Sequence, residues 1–208
     1  MGKVKFAPGE HYHIFNRGVD KRAVFLDDAD FERFLQSLEE FNTARPIGSI
    51  FENSFRKSQL GRPTSKLVNI VCYCLNKNHF HLVLEELVDG GISEFMKRLG
   101  GYTKYFNIRH KRNGTLFQGR FKARHIDSNE YLLRVGAYVN LNNRAHRVQG
   151  NIYRSSWNEY CDDAKRKNGL CGKANILNQF DDVKEYCAFA KEALADVLKN
   201  KDLAKELE

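Results

Sequence analysis

His79-Phe80-His81 places two imidazoles two residues apart in a run that reads as a β-strand. Side chains at that spacing leave the same face of a sheet, so both rings project together while Phe80 turns to the opposite face. Two neutral imidazoles on one face form a ready pair of metal ligands. The tripeptide alone is not specific: His11-Tyr12-His13 repeats it, and two partly exposed strand histidines give the same pattern. A second pair is Tyr138 and Asn142, four residues apart in a helical stretch, with Tyr131 seven residues before Tyr138. Residues at these spacings share a helix face. A tyrosine there is a packing residue or a phenol available for chemistry.

The elements that must position these groups follow from patterning. His11 to Arg17 alternates as a first strand. Asp27 or Asp28 can cap a helix with Phe31, Phe34, Leu35, Leu38 and Phe41 on one face. Residues 43–66 are polar, hold two of the three prolines and read as a mobile basic loop. Leu67 to Leu75 is a buried strand, Asn76-Lys77-Asn78 a turn, and His79 to Glu86 the returning strand of a hairpin. After Gly90-Gly91, one helix carries Ile92, Phe95, Met96, Leu99, Tyr102 and Phe106. Thr115 to Ile126 holds one or two strands. Asp127 with Glu130 resembles a capping box that opens a helix through about Asn142. Asp181 to about Leu207 is a last amphipathic helix. Hairpin-linked strands with helices between them predict an α+β domain with a mostly antiparallel sheet, spanning residues 1–174, followed by a helical extension over 175–208.

Charge and composition narrow the chemistry. The chain has 208 residues and a formal net charge of +8. From Arg98 to Arg147 there are eleven Lys and Arg against two acids, so this stretch carries +9 and the remainder of the chain −1. Aromatic residues lie among these charges, a composition that suits a phosphate backbone; the plain alternative is a solvated basic face. No apolar run approaches the roughly 20 residues of a bilayer span, and the N-terminus shows no signal peptide. Five scattered cysteines without framework spacing are expected to be reduced thiols. Cys72 and Cys74, near the histidine strand, leave a closed structural zinc site as an alternative.

In their order and spacing, these blocks resemble the single-tyrosine HUH transposases, and especially the REP-associated tyrosine transposase branch. The resemblance runs from about residue 10 to 200. It rests on YHIFNRG at 12–18, the aspartate-bearing helix to Asn42, and CLNKNHFHLVLE at 74–85. It continues through KYFNIRHKRNGTLFQGRFKA at 104–123, EYLLRVGAYVNLNNRA at 130–145 and RSSWNEY at 154–160. It implies a ferredoxin/RRM-like HUH palm. His79 and His81, and not His11 and His13, fall on the HUH pair, Tyr138 on the nucleophile and Asn142 on the third metal-site residue. Relatives often carry Asn-Pro where this chain has Asn142-Asn143, so a helix stop is missing.

The activity implied is cleavage and rejoining of single-stranded DNA near a hairpin, through a 5′-phosphotyrosine and with Mg²⁺ or Mn²⁺. A DNA grip is expected from Arg17, Lys104, Arg109, Lys111, Arg112, Gln118, Arg120, Lys122, Arg124 and Arg144. Asn140 is a candidate for supporting the site, and Trp157 and Tyr160 read as packing anchors. The expected setting is the cytoplasm, with no membrane partner. Relatives act as monomers or as homodimers that donate the tyrosine helix in trans. The alternative of another class is a nucleic-acid-binding module or regulator of the same fold that does not cut.

Overall fold

The computed structural model describes residues 4–52, 65–145, 152–162 and 169–200. Half of the predicted loop at 43–66, residues 53–64, lies outside them, as do residues 201–208. Strand β1 (His11–Arg17) leads to helix α1 (Asp28–Glu40), and β2 (Val68–Asn76) and β3 (His79–Glu86) form the hairpin. Helices α2 (Gly91–Leu99) and α3 (Tyr102–Arg109) precede β4 (Lys122–Ile126). Then come α4 (Asn129–Asn140), α5 (Asn142–Ala145), β5 (Tyr153–Ser155), α6 (Trp157–Cys161), α7 (Ala174–Leu177) and α8 (Val183–Lys199).

The sheet order is β4-β1-β3-β2-β5, and every pairing is antiparallel. The first four strands with their intervening helices form the β-α-β-β-α-β arrangement of ferredoxin-like folds. Registers fix the two faces. Asn16 lies opposite Phe80 and Ile14 opposite Leu82. That face packs on the first helical layer, where Phe80 meets Phe34 of α1 at 5.3 Å between ring centroids. The other face carries His13 and Phe15 of β1 and His79 and His81 of β3. From β2 it carries Cys72, Cys74 and Asn76, and α4 covers it.

Outside α4 lies α8, whose buried residues are Tyr186, Ala190, Leu194 and Val197. The C-terminal segment therefore packs back on the domain, leaving the second half of α4 enclosed between sheet and helix.

Three local expectations are corrected. The helix predicted over 92–106 is two, divided at Gly100-Gly101, where two poor helix formers adjoin. The cap of α4 is Ser128, whose Oγ accepts from Tyr131 N at 3.2 Å, while Glu130 pairs with Arg134 instead of closing a box. That helix ends at Asn140, with Leu141 outside helical geometry (φ −110°, ψ 15°), so Asn142 sits in the following turn even without a proline. The cysteines also differ from expectation. Cys161 and Cys187 are joined in a disulfide across 26 residues, brought together as α6 packs on α8. Cys72, Cys74 and Cys171 are free and buried.

Candidate active site

The hairpin turn places His79 at the start of β3, directly opposite Asn76 of β2. The His79 and His81 rings stand perpendicular, 5.2 Å apart between centroids. Tyr138, on the sheet-facing side of α4, presents its ring edge-on to His81 at 5.7 Å and to His13 at 6.4 Å. The Tyr138 side chain is 3% exposed. Asn142 brings Oδ1 to 3.1 Å from His79 Nε2. The four residues singled out from the sequence thus meet at one end of the sheet.

Hydrogen bonds fix the state of His79. Asn78 Nδ2 donates to Lys21 O at 3.1 Å, which turns Asn78 Oδ1 towards His79 Nδ1 at 2.6 Å. An amide oxygen only accepts, so Nδ1 carries the hydrogen. Nε2 then accepts from Asn76 Nδ2 at 3.0 Å, and the same amide donates to Asn142 Oδ1 at 2.6 Å. Two lone-pair atoms, His79 Nε2 and Asn142 Oδ1, therefore converge on one positively polarised group. Adjacent ligands of an octahedral ion with bonds of about 2.1 Å stand about 3 Å apart, close to the spacing here. Asn142 Nδ2, in contrast, is buried without a hydrogen-bond partner. These donors fit a divalent cation of the Mg²⁺ or Mn²⁺ kind.

No group of three or more His, Cys, Asp or Glu is placed to hold a metal among the described residues. Burial also pushes the Cys72 and Cys74 thiols up, Cys74 to about 12, so both are protonated in the metal-free protein.

His13 and Asn76 are site residues the sequence reading missed. His13 is fully buried, and burial, aided by the Arg124 charge, pulls its pKa down to about 3. Its Nε2 lies 2.9 Å from His81 Nδ1. His11 is elsewhere, against Asn175 at 2.7 Å. The signal for His13 was the His-x-His in β1, which gains meaning only once β1 is known to lie beside β3.

The expected DNA grip divides into groups. Arg17, Gln118 and Lys122 join His79, His81, Phe15 and Asn16 around a pocket of about 70 Å³. Arg120, Lys122 and Arg124 line a neighbouring cleft of about 1000 Å³ with Phe6 and Phe121. Lys104 and Lys111 are exposed on and after α3. Arg112 lies over the Phe106 ring at 5.6 Å and Arg144 over Trp157 at 5.5 Å. Arg109 is committed elsewhere: its guanidinium donates to Asp27 and to Asp30, each at 2.8 Å.

Asn140 does not reach the histidines. Its Nδ2 donates to Tyr186 Oη at 2.8 Å and its carbonyl accepts from Ser155 Oγ at 2.6 Å, which clamps the end of α4. Tyr160 is a packing anchor as expected, its hydroxyl donating to Val71 O at 2.7 Å.

Residues 49–142, which hold His79, His81, Tyr138 and Asn142, match the model of the family described as Transposase IS200 like. The fold agrees with a solved structure of a REP-associated tyrosine transposase bound to a REP hairpin. The TM-score is 0.51 at 13% identity, over 82% of this chain and 88% of that one. No match is found among curated proteins. No helix among the described residues is long and apolar enough to cross a membrane.

Proposed function

We propose that this chain is an IS200-like transposase, and that it cleaves and rejoins single-stranded DNA beside hairpins in a metal-dependent reaction that passes through a 5′-phosphotyrosine on Tyr138. One convergence supports this reading most: the Tyr138 ring against His81, beside a His79–Asn142 pair whose lone pairs face one point. His79, His81 and Asn142 would hold the ion, Mg²⁺ or Mn²⁺. When bound, such an ion supplies charge neutralisation at a non-bridging phosphate oxygen.

The chain's own residues do the rest. Packing between sheet and α8 fixes the direction of the Tyr138 phenol, so alignment is set before substrate arrives. The Tyr138 phenol passes its proton to solvent water as Oη attacks phosphorus. One P–O bond forms to tyrosine while the bond to the 3′ oxygen breaks, and that oxygen takes up a proton. The aryl phosphodiester conserves the bond, so another 3′-hydroxyl reverses the step and strand transfer needs no nucleotide cofactor. Arg17, Lys122 and Arg124 would hold the flanking phosphates. The hairpin as partner is taken from the structural neighbour's ligand.

The test is a covalent adduct on a denaturing gel, after incubation with Mn²⁺ and single-stranded hairpin oligonucleotides. A DNA-linked band should form, vanish in Tyr138→Phe and fall at least about 100-fold in His79→Ala or His81→Ala, the range seen when a group stabilising transition-state charge is removed. A band that survives Tyr138→Phe overturns the assignment. The near-burial of Tyr138 favours a second reading, hairpin binding without cutting. That reading predicts a shifted native complex and no adduct with any ion.

A further inference from the structure

We propose that His13 is a positioning residue for His81: it takes the hydrogen bond from His81 Nδ1–H and so leaves His81 Nε2 bare to face an ion. The inference rests on the metal-dependent reading above. His13 lies in β1, outside the segment that carries the family match.

The argument begins with a contrast between the two ion-facing histidines. Each has its Nδ1 engaged by a neighbour. For His79 that neighbour is an amide oxygen, which can only accept, so in the neutral ring Nε2 carries the lone pair. For His81 it is a second imidazole at 2.9 Å, with the rings 5.1 Å apart and 21° from parallel. An imidazole can donate or accept, so this pair has two arrangements.

In one, His81 Nδ1–H donates to His13 Nε2. His81 Nε2 then bears a lone pair, and His13 carries its hydrogen on Nδ1. In the other, His13 Nε2–H donates, His81 Nε2 carries a hydrogen and cannot ligate, and His13 Nδ1 is a bare acceptor. His13 Nδ1 is buried without a hydrogen-bond partner, so neither arrangement is anchored from the far side. A leucine at this position would fill similar space but leave the His81 tautomer unspecified. Outer partners of this kind typically change metal affinity about 10–100-fold when removed.

The test uses the full-length protein without DNA. Mn²⁺ affinity is measured by calorimetric titration for wild type, His13→Leu and His13→Gln. Glutamine restores an acceptor oxygen near the place of His13 Nε2. The expected result is a Kd weakened about 10–100-fold in His13→Leu and restored towards wild type in His13→Gln. Equal affinity in His13→Leu and wild type overturns the proposal, as does equal weakness of both variants at unchanged melting temperature. Should His13→Leu fail to fold, long-range ¹H–¹⁵N spectra of ¹⁵N-histidine wild type with saturating Mg²⁺ decide. Hydrogen on His81 Nδ1 supports the proposal; hydrogen on Nε2 overturns it. No arm involves strand cleavage, so an adduct that never forms sinks the cleavage reading and leaves this result standing.

Discussion

Asn76 satisfies two acceptors at a buried point: the two N–H groups of its amide serve His79 Nε2 and Asn142 Oδ1. Asn76→Asp would replace those donors with lone pairs and a negative charge. Buried, unpaired groups of this kind destabilise by about 1–3 kcal/mol, more when charged, and about 1 kcal/mol lowers Tm by about 2–4 °C in a chain of this size. The variant should melt several degrees below wild type in EDTA and recover more than wild type when Mn²⁺ is added. Equal gains in the two proteins would argue against a cation at this point. Residue type and local spacing marked His79, His81, Tyr138 and Asn142 as candidates, and the family resemblance set them apart from His11 and His13. Asn76 and His13 were not legible, because their roles come from strand neighbours. Asn76 reads as a turn residue until its register opposite His79 is known, and His13 reads as a weak repeat until β1 is placed beside β3.

The helical layer is tied by Arg109 of α3, which reaches from one element to the start of another. It pairs with Asp27, the cap of α1, and with Asp30, whose side chain is fully buried. Asp30 also receives Leu26 N at 2.8 Å and faces His110 Nε2 at 3.0 Å. Arg109→Ala should destabilise the fold by about 1–3 kcal/mol by stripping a partner from a buried carboxylate, as read by urea midpoints. The Arg109 guanidinium holds Asp27 below the usual carboxylate range. Stability from that depressed pKa is present above the unperturbed value of about 3.9 and lost as pH falls through the folded value. The effect of Arg109→Ala should therefore be larger at pH 7 than at pH 3. Arginine within a basic block reads as a phosphate contact from sequence, and only the placement of α3 beside α1 reveals the ion pair. Helices were legible from apolar spacing, since Ile92 through Phe106 are buried as expected. Their interruptions were not, because the breaks at Gly100-Gly101 and Leu141 depend on how each segment docks.

Across the whole molecule, positive side chains gather along one rim, from Arg17 to the β4 strand with Lys122 and Arg124, beside the histidine pocket. Hairpin affinity should fall with salt, and Lys122→Ala or Arg124→Ala should each lower the slope of log K against log[salt] by about 1. Arg109→Ala should leave that slope unchanged. The basic stretch was visible from charge counting, but its division into rim residues and structural ion pairs needed the tertiary arrangement. The pocket has a further consequence. Its volume is about 70 Å³, enough for several ordered waters. The end of α4, the helix that carries Tyr138, is held by the Asn140 contacts with Tyr186 and Ser155. The opposite wall around Gln118 hangs on a single bridge between Gly18 and Phe117 and a few backbone bonds. Were a ligand larger than this pocket to enter, the edge formed by Arg17 and Gln118 would be the part to yield, while α4 keeps its place.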